Sequence, residues 1–230
     1  MKVIERPSPN QDARAGAPID MLVLHYTGMT SGEAALARLC DPAAKVSAHY
    51  TIDEDGTVYA MVPEAQRAWH AGISFWAGAR DINARSIGIE LVNPGHEFGY
   101  RPFPQAQIGA LTLLCRQILD RHSIPSWRVL GHSDVAPARK DDPGELFPWS
   151  KLAAAGIGLW PAPGDDAGET AVAPLLARYG YDPEVPVEKT VMAFQRHFRP
   201  SRIDGMADRE TRTMLSGLIA TYDAANGARA

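Results

Sequence analysis

The segment GHSDVAPARKDDPG, Gly131 to Gly144, constrains this chain more than any other. It gathers a histidine, a lysine and an aspartate, His132, Lys140 and Asp142, into one short stretch that cannot form a continuous helix. Pro137 and Pro143 remove backbone donors and fix their own φ angles, so the stretch reads as a stiff loop after a short strand, WRVLGH. A loop so stiffened reads as a holder for side chains. Imidazole nitrogen and carboxylate oxygen are both donors that zinc accepts, and a catalytic zinc site needs three protein ligands with a fourth position left for water. The best third donor is His25, where the apolar run MLVLHYT ends in an imidazole. A histidine after a buried strand is, however, more commonly a hydrogen-bonded core residue. There is no H-E-x-x-H, and Cys40 and Cys115 cannot form a C-x-x-C. Spacing alone leaves a metal site and a structural role both open.

Composition sets the broad class. A chain of 230 residues, 45% hydrophobic and 22% charged, is an ordinary soluble protein with room for one good core and a small second domain. A net charge of −4 without a basic run gives no reason to bind nucleic acid. Cys40 and Cys115 fall in helical stretches and read as buried free thiols. No apolar run approaches the roughly 18 residues of a membrane span. The N-terminal stretch, MKVIERPSPNQDARAGAPID, is polar and lacks the features of a secretory signal, which predicts a cytoplasmic protein. A leader outside this sequence would instead imply the periplasm or export. Nothing points to a protein partner, and oligomeric state is unreadable.

Periodicity predicts the elements. Residues 21–26 read as a buried strand, and SGEAALARLC as a short helix opened by a serine cap. AHYTIDEDGTVYAMV reads as a hairpin around Asp55-Gly56, and SIGIELV as a further strand. From Pro104 to His122, Ile108, Leu111, Cys115, Ile118 and Leu119 recur at helical spacing, the stripe of a core-packed helix. Strands mixed with helices predict an α/β domain built on a mixed sheet. After Trp160 the texture changes: PAPGDDAGE reads as an extended linker, and three short helical patterns follow between Gly, Pro and Asp turns.

Four motifs in order, LHYT (Leu24–Thr27), WHAG (Trp69–Gly72), SIGIEL (Ser86–Leu91) and GHSDVAPARKDDPGELFPW (Gly131–Trp149), resemble the zinc-dependent N-acetylmuramoyl-L-alanine amidases of the AmpD/AmiD type. These are relatives of amidase-type phage lysozymes and of animal peptidoglycan recognition proteins. The resemblance covers roughly residues 20–155. It implies a mixed central sheet flanked by helices, with zinc bound by His25, His132 and Asp142. Some relatives have a cysteine where this chain has Asp142. Glu90 matches the general base and Lys140 the lysine near the reacting carbonyl. His49, in SAHYTI, matches a position near the site that is not a ligand. Asp141 could in principle replace Asp142, but the match favours the residue immediately before Pro143-Gly144.

The pieces YGY, AFQRHF and DGMADRETRTML resemble the small three-helix peptidoglycan-binding module often attached to wall hydrolases. The expected organisation is a catalytic domain at 1–160, a linker at 161–169, a three-helix domain at 170–222 and a tail at 223–230. The module would tether the enzyme to polymer without touching the chemistry. The implied activity is cleavage of the amide between the lactyl group of N-acetylmuramic acid and L-alanine, with zinc as cofactor and peptidoglycan or its soluble fragments as partner. Trp69, His70 and Arg85 are the candidate substrate contacts: an aromatic platform, a polar ring and a guanidinium suit a sugar–peptide bearing carboxylates. Two other readings compete. One is a non-catalytic peptidoglycan receptor, which should lack at least one ligand. The other is a zinc peptidase or deacetylase acting on a different bond of the wall. The choice between intact and 1,6-anhydro muramic acid is not readable.

Overall fold

The computed structural model describes residues 1–227. The first half runs β1 (Val3–Glu5), β2 (Gln11–Ala13), β3 (Met21–Tyr26), α1 (Gly32–Cys40), β4 (Tyr50–Ile52), β5 (Val58–Ala60) and β6 (Gln66–Ala68). Next come α2 (Ile82–Arg85), β7 (Ser86–Leu91), α3 (Gly95–Phe98), α4 (Gln105–Arg121), β8 (Val129–Gly131), α5 (His132–Val135) and α6 (Trp149–Ala154). The chain closes with α7 (Val172–Tyr179), α8 (Val187–Phe198) and α9 (Arg209–Gly227). Six strands form one sheet in the order β1-β5-β4-β7-β3-β8, while β2 and β6 pair separately. Strands β4, β7, β3 and β8 are mutually parallel, and β5 is antiparallel to β4. The mixed sheet with flanking helices is the architecture the sequence predicts.

Strand β3 shows why the sheet is central. Its MLVL run is buried at every position, as in a strand covered on both faces. Leu22 and Leu24 join Ile87, Ile89 and Leu91 of β7 in a cluster with α4. Met21 and Val23 point the other way, into a cluster shared with Leu176, Tyr179, Phe194, Phe198 and Leu218 of α7, α8 and α9. The C-terminal helices therefore cover the second face of the sheet. On α4 the buried face is Leu111, Leu114, Cys115 and Ile118; Ile108 and Leu119 of the predicted stripe lie at its margin. Ser31 caps α1, its side chain accepting from the Ala34 N–H at 3.1 Å. The hairpin turns at Gly56, whose φ of +86° a side chain would resist.

Three helices occupy the segment after the proline- and glycine-rich stretch. Residues 161–168 have no helix or strand, yet they lie against α9: Gly164 N–H donates to Thr213 O at 2.7 Å. The helix α9 continues through Gly227, so the first part of the expected tail is helical, and 228–230 lie outside the described residues. The FQ and DG motifs are spent on local structure. The Gln195 amide donates to Asp204 Oδ1, Met206 O and Thr211 Oγ1, and its oxygen accepts from the Asp204 and Gly205 N–H groups. Among the described residues, no helix is long and apolar enough to cross a membrane.

Candidate active site

Three neighbouring parallel strands end along one edge of the sheet, the edge at which α/β sheets present ligands. In register, His25 of β3 lies opposite Glu90 of β7, and Leu24 lies opposite Gly131, the residue before His132. Because side chains alternate along a strand, the burial of Ile87, Ile89 and Leu91 against α4 turns Ser86, Gly88 and Glu90 to the other face, beside His25. Asp142 returns to this edge because the Ser133 N–H donates to its carbonyl at 2.9 Å, folding the proline-stiffened loop back on α5.

The donor atoms converge. His25 Nδ1 lies 3.0 Å from both His132 Nδ1 and Asp142 Oδ2, and His132 Nδ1 lies 3.1 Å from Asp142 Oδ2. All three residues are buried. His132 Nε2 lies 3.0 Å from Ala71 O, a group that can only accept, so an Nε2–H donates there. In the neutral form that binds metal, the His132 lone pair is then on Nδ1, the atom beside Asp142 Oδ2. Two imidazole nitrogens and a carboxylate oxygen around one point are a donor set that zinc fits, with distances short enough for a single ion to reach all three.

Electrostatics agree with a ligand set. Burial pushes the His25 imidazole down to about 4, helped by His132, so the ring is neutral, the form that binds metal. Glu90 behaves oppositely. Burial, then the nearby Asp142 charge, pushes it well above the ordinary carboxylate value, against the pull of Lys140. Its Oε2 is buried without a hydrogen-bond partner. An ionisable oxygen left unpaired costs free energy and is poised to take a proton. A cleft of about 380 Å³ opens over these groups, lined by Trp69, Glu90, His132, Lys140 and Asp142.

The remaining candidates separate. Trp69 lies on the cleft wall, partly exposed. His70 borders the cleft, but both ring nitrogens are engaged inside the fold: Nδ1 is 3.0 Å from His25 Nε2, and Nε2 is 3.1 Å from Ser86 Oγ. Its ring has no free nitrogen for a substrate. Arg85 lies before β7, at the far end from Glu90, and pairs with Asp20, as does Arg128. The structure therefore does not bring Arg85 to the site. His49 sits behind His70, their ring centroids 5.8 Å apart, with Nδ1 accepting from the Gly88 N–H. Asp141 turns outward to Arg196 at 2.7 Å, leaving Asp142 as the inward carboxylate. Sequence reasoning missed the Ala71 carbonyl, Asn83 and Ser86. A backbone oxygen leaves no signature, and Asn83 and Ser86 look like ordinary loop and strand polar residues.

Residues 15–145, more than half of the chain, match the Amidase_2 family model, N-acetylmuramoyl-L-alanine amidase. The chain is 41% identical to N-acetylmuramoyl-L-alanine amidase AmiD of Escherichia coli, covering 92% of this chain and 87% of that protein. It is 35% identical to 1,6-anhydro-N-acetylmuramyl-L-alanine amidase AmpD of Enterobacter cloacae, over 64% of this chain and 86% of that one. The fold superposes on E. coli AmiD, solved with the substrate anhydro-N-acetylmuramic acid-L-Ala-D-gamma-Glu-L-Lys, with a TM-score of 0.81, covering 92% and 93% of the two chains. It also superposes on AmpDh3 of Pseudomonas aeruginosa, with a TM-score of 0.80, 34% identity and coverage of 89% and 92%.

Proposed function

The chain belongs to the N-acetylmuramoyl-L-alanine amidase family, and from that premise we propose that it is a zinc enzyme hydrolysing the amide between the lactyl group of N-acetylmuramic acid and L-alanine. The observation that carries this reading is the convergence of His25, His132 and Asp142, with Glu90 in register beside His25. Cell-wall recycling is the process served, and soluble anhydro-muramyl peptides are the substrate class. The AmpD relative's name and the ligand in the AmiD complex support that class.

The chemistry follows from the residues present. An amide resists water because its carbonyl is a poor electrophile and its amine a poor leaving group. His25, His132 and Asp142 would hold zinc, which when bound would supply an acidified water, its pKa brought toward about 7, and a polarised carbonyl. Glu90, its Oε2 unpaired, takes the water's proton and hands it to the departing nitrogen of L-alanine. Lys140, on the cleft wall, stabilises the negative charge that develops on the carbonyl oxygen. Trp69 offers the sugar an aromatic wall. Mass spectrometry of digested muropeptides tests the reading. Free stem peptide and peptide-free sugar are expected; a shortened peptide or a deacetylated sugar would replace it with a peptidase or deacetylase.

A further inference from the structure

The order of protons in the buried histidines can be read outward from Ser86. The Ser86 hydroxyl carries one proton and lies 2.7 Å from Ile82 O, which only accepts, so the proton points there. The 3.1 Å contact between Ser86 Oγ and His70 Nε2 must then be an N–H of His70 donating. His70 is buried against Ser86 on one side and His25 on the other, and the single proton of a neutral ring is the one that Ser86 takes. With that proton on Nε2, its Nδ1 is an acceptor, and the His25 Nε2 3.0 Å away must donate to it. The lone pair left on His25 is the one on Nδ1, the atom facing His132 and Asp142.

One residue further along the same segment, the Ala71 carbonyl accepts from His132 Nε2 at 3.0 Å and so leaves the His132 Nδ1 lone pair facing the same point. That carbonyl is itself fixed by Arg139, whose guanidinium donates to it at 2.8 Å. The segment is held by Asn83: its Oδ1 accepts from the N–H groups of both His70, at 3.0 Å, and Ala71, at 2.7 Å. Gly88 makes room, since a Cβ there would run into the His70 ring.

We propose that His70 and the Ala71 carbonyl form a brace, anchored by Asn83 and Ser86, that fixes both imidazoles in the Nε2–H tautomer and presents their Nδ1 lone pairs to the metal. This rests on the metal reading above and gives His70, Ser86 and Asn83 positioning roles. The opposite tautomer of either ring would put an N–H where a lone pair must be. Partners of this kind typically contribute about 10–100-fold in metal affinity.

Zinc competition against a chromophoric chelator, on the full chain, reads the effect directly. His70→Ala and Ser86→Ala should each weaken zinc binding by about 10–100-fold. His70→Asn keeps an acceptor near the Nδ1 position and should recover part of the loss, which a merely space-filling role would not produce. Long-range proton–nitrogen NMR of zinc-loaded wild-type protein needs no variant. It should find the His70 proton on Nε2 and the His25 and His132 protons on Nε2. Wild-type zinc affinity in both alanine variants, or a His70 proton on Nδ1, overturns the brace alone. A wild-type chain that binds no zinc overturns the metal reading and the brace with it.

Discussion

At the scale of single residues, the proposed reading gives binding of the metal and movement of the proton to different side chains, so the two jobs should be separable. His25, His132 and Asp142 each supply one donor atom to the same point. Replacing any one with alanine should lower zinc content and turnover together, and chelation of the wild type followed by zinc addition should abolish and then restore activity. Full turnover in a metal-free preparation is the result that would end this assignment. Glu90 supplies no donor to that point, so Glu90→Gln should retain zinc while turnover falls by roughly 10²-fold or more. Lys140→Ala should likewise keep its zinc, with a loss on the order of 10²–10³-fold in kcat if the ammonium faces the developing charge. Metal analysis beside steady-state kinetics checks both; zinc loss in either variant would move that residue into the ligand set.

At the scale of elements, β7 does three jobs with alternate residues. Ile87, Ile89 and Leu91 seal the sheet against α4, while the other face carries Ser86, the gap at Gly88, and Glu90. Gly88→Ala pushes a methyl into a buried ring, and overpacking of this kind costs about 1–3 kcal/mol. A lower denaturant midpoint together with weakened zinc binding is expected. An unchanged zinc affinity would show that His70 can move without consequence. Much of this was legible in the sequence. The apolar run of β3, the Ser31 cap and the Asp55-Gly56 hairpin are local signals, and the structure keeps all three. The short pairings β1 with β5 and β2 with β6 are not, because three residues carry too little pattern to reveal a partner. Side-chain chemistry makes His25, His132 and Asp142 candidate donors, and the family resemblance is what joins them into one set. It does not say which way His70 and Arg85 point, since that depends on strand register and on partners such as Ser86 and Asp20.

At the scale of the whole molecule, the sequence suggested a catalytic unit with a tethered module, and the packing shows a tighter union. Proline, glycine and aspartate suit a free linker, but they also suit a strap laid on a surface, and composition does not record the bond from Gly164 to Thr213. Helices α7, α8 and α9 close the apolar face that Met21, Val23 and Leu130 would otherwise expose. The C-terminal segment also reaches α5 and the stretch after it: Tyr181, between α7 and α8, donates to Asp134 Oδ1 at 2.7 Å, His197 Nδ1 lies 2.7 Å from Asp134 Oδ2, and Arg196 pairs with Asp141, next to Asp142. The buried Asp134 carboxylate, two residues from His132, thus takes its partners from both halves of the chain, the third being the Gly131 N–H. A chain ending at Trp160 should therefore aggregate or melt early, and lose activity on soluble muropeptides and insoluble sacculi alike. Full activity on soluble fragments, with loss confined to sacculi, would instead restore the tether. Tyr181→Phe asks the same question without truncation. It removes one donor from a buried carboxylate, which costs about 1–3 kcal/mol. If the two halves fold as one unit, the whole protein should unfold in a single transition shifted by that amount; a shift confined to a separate C-terminal transition would show that they fold apart.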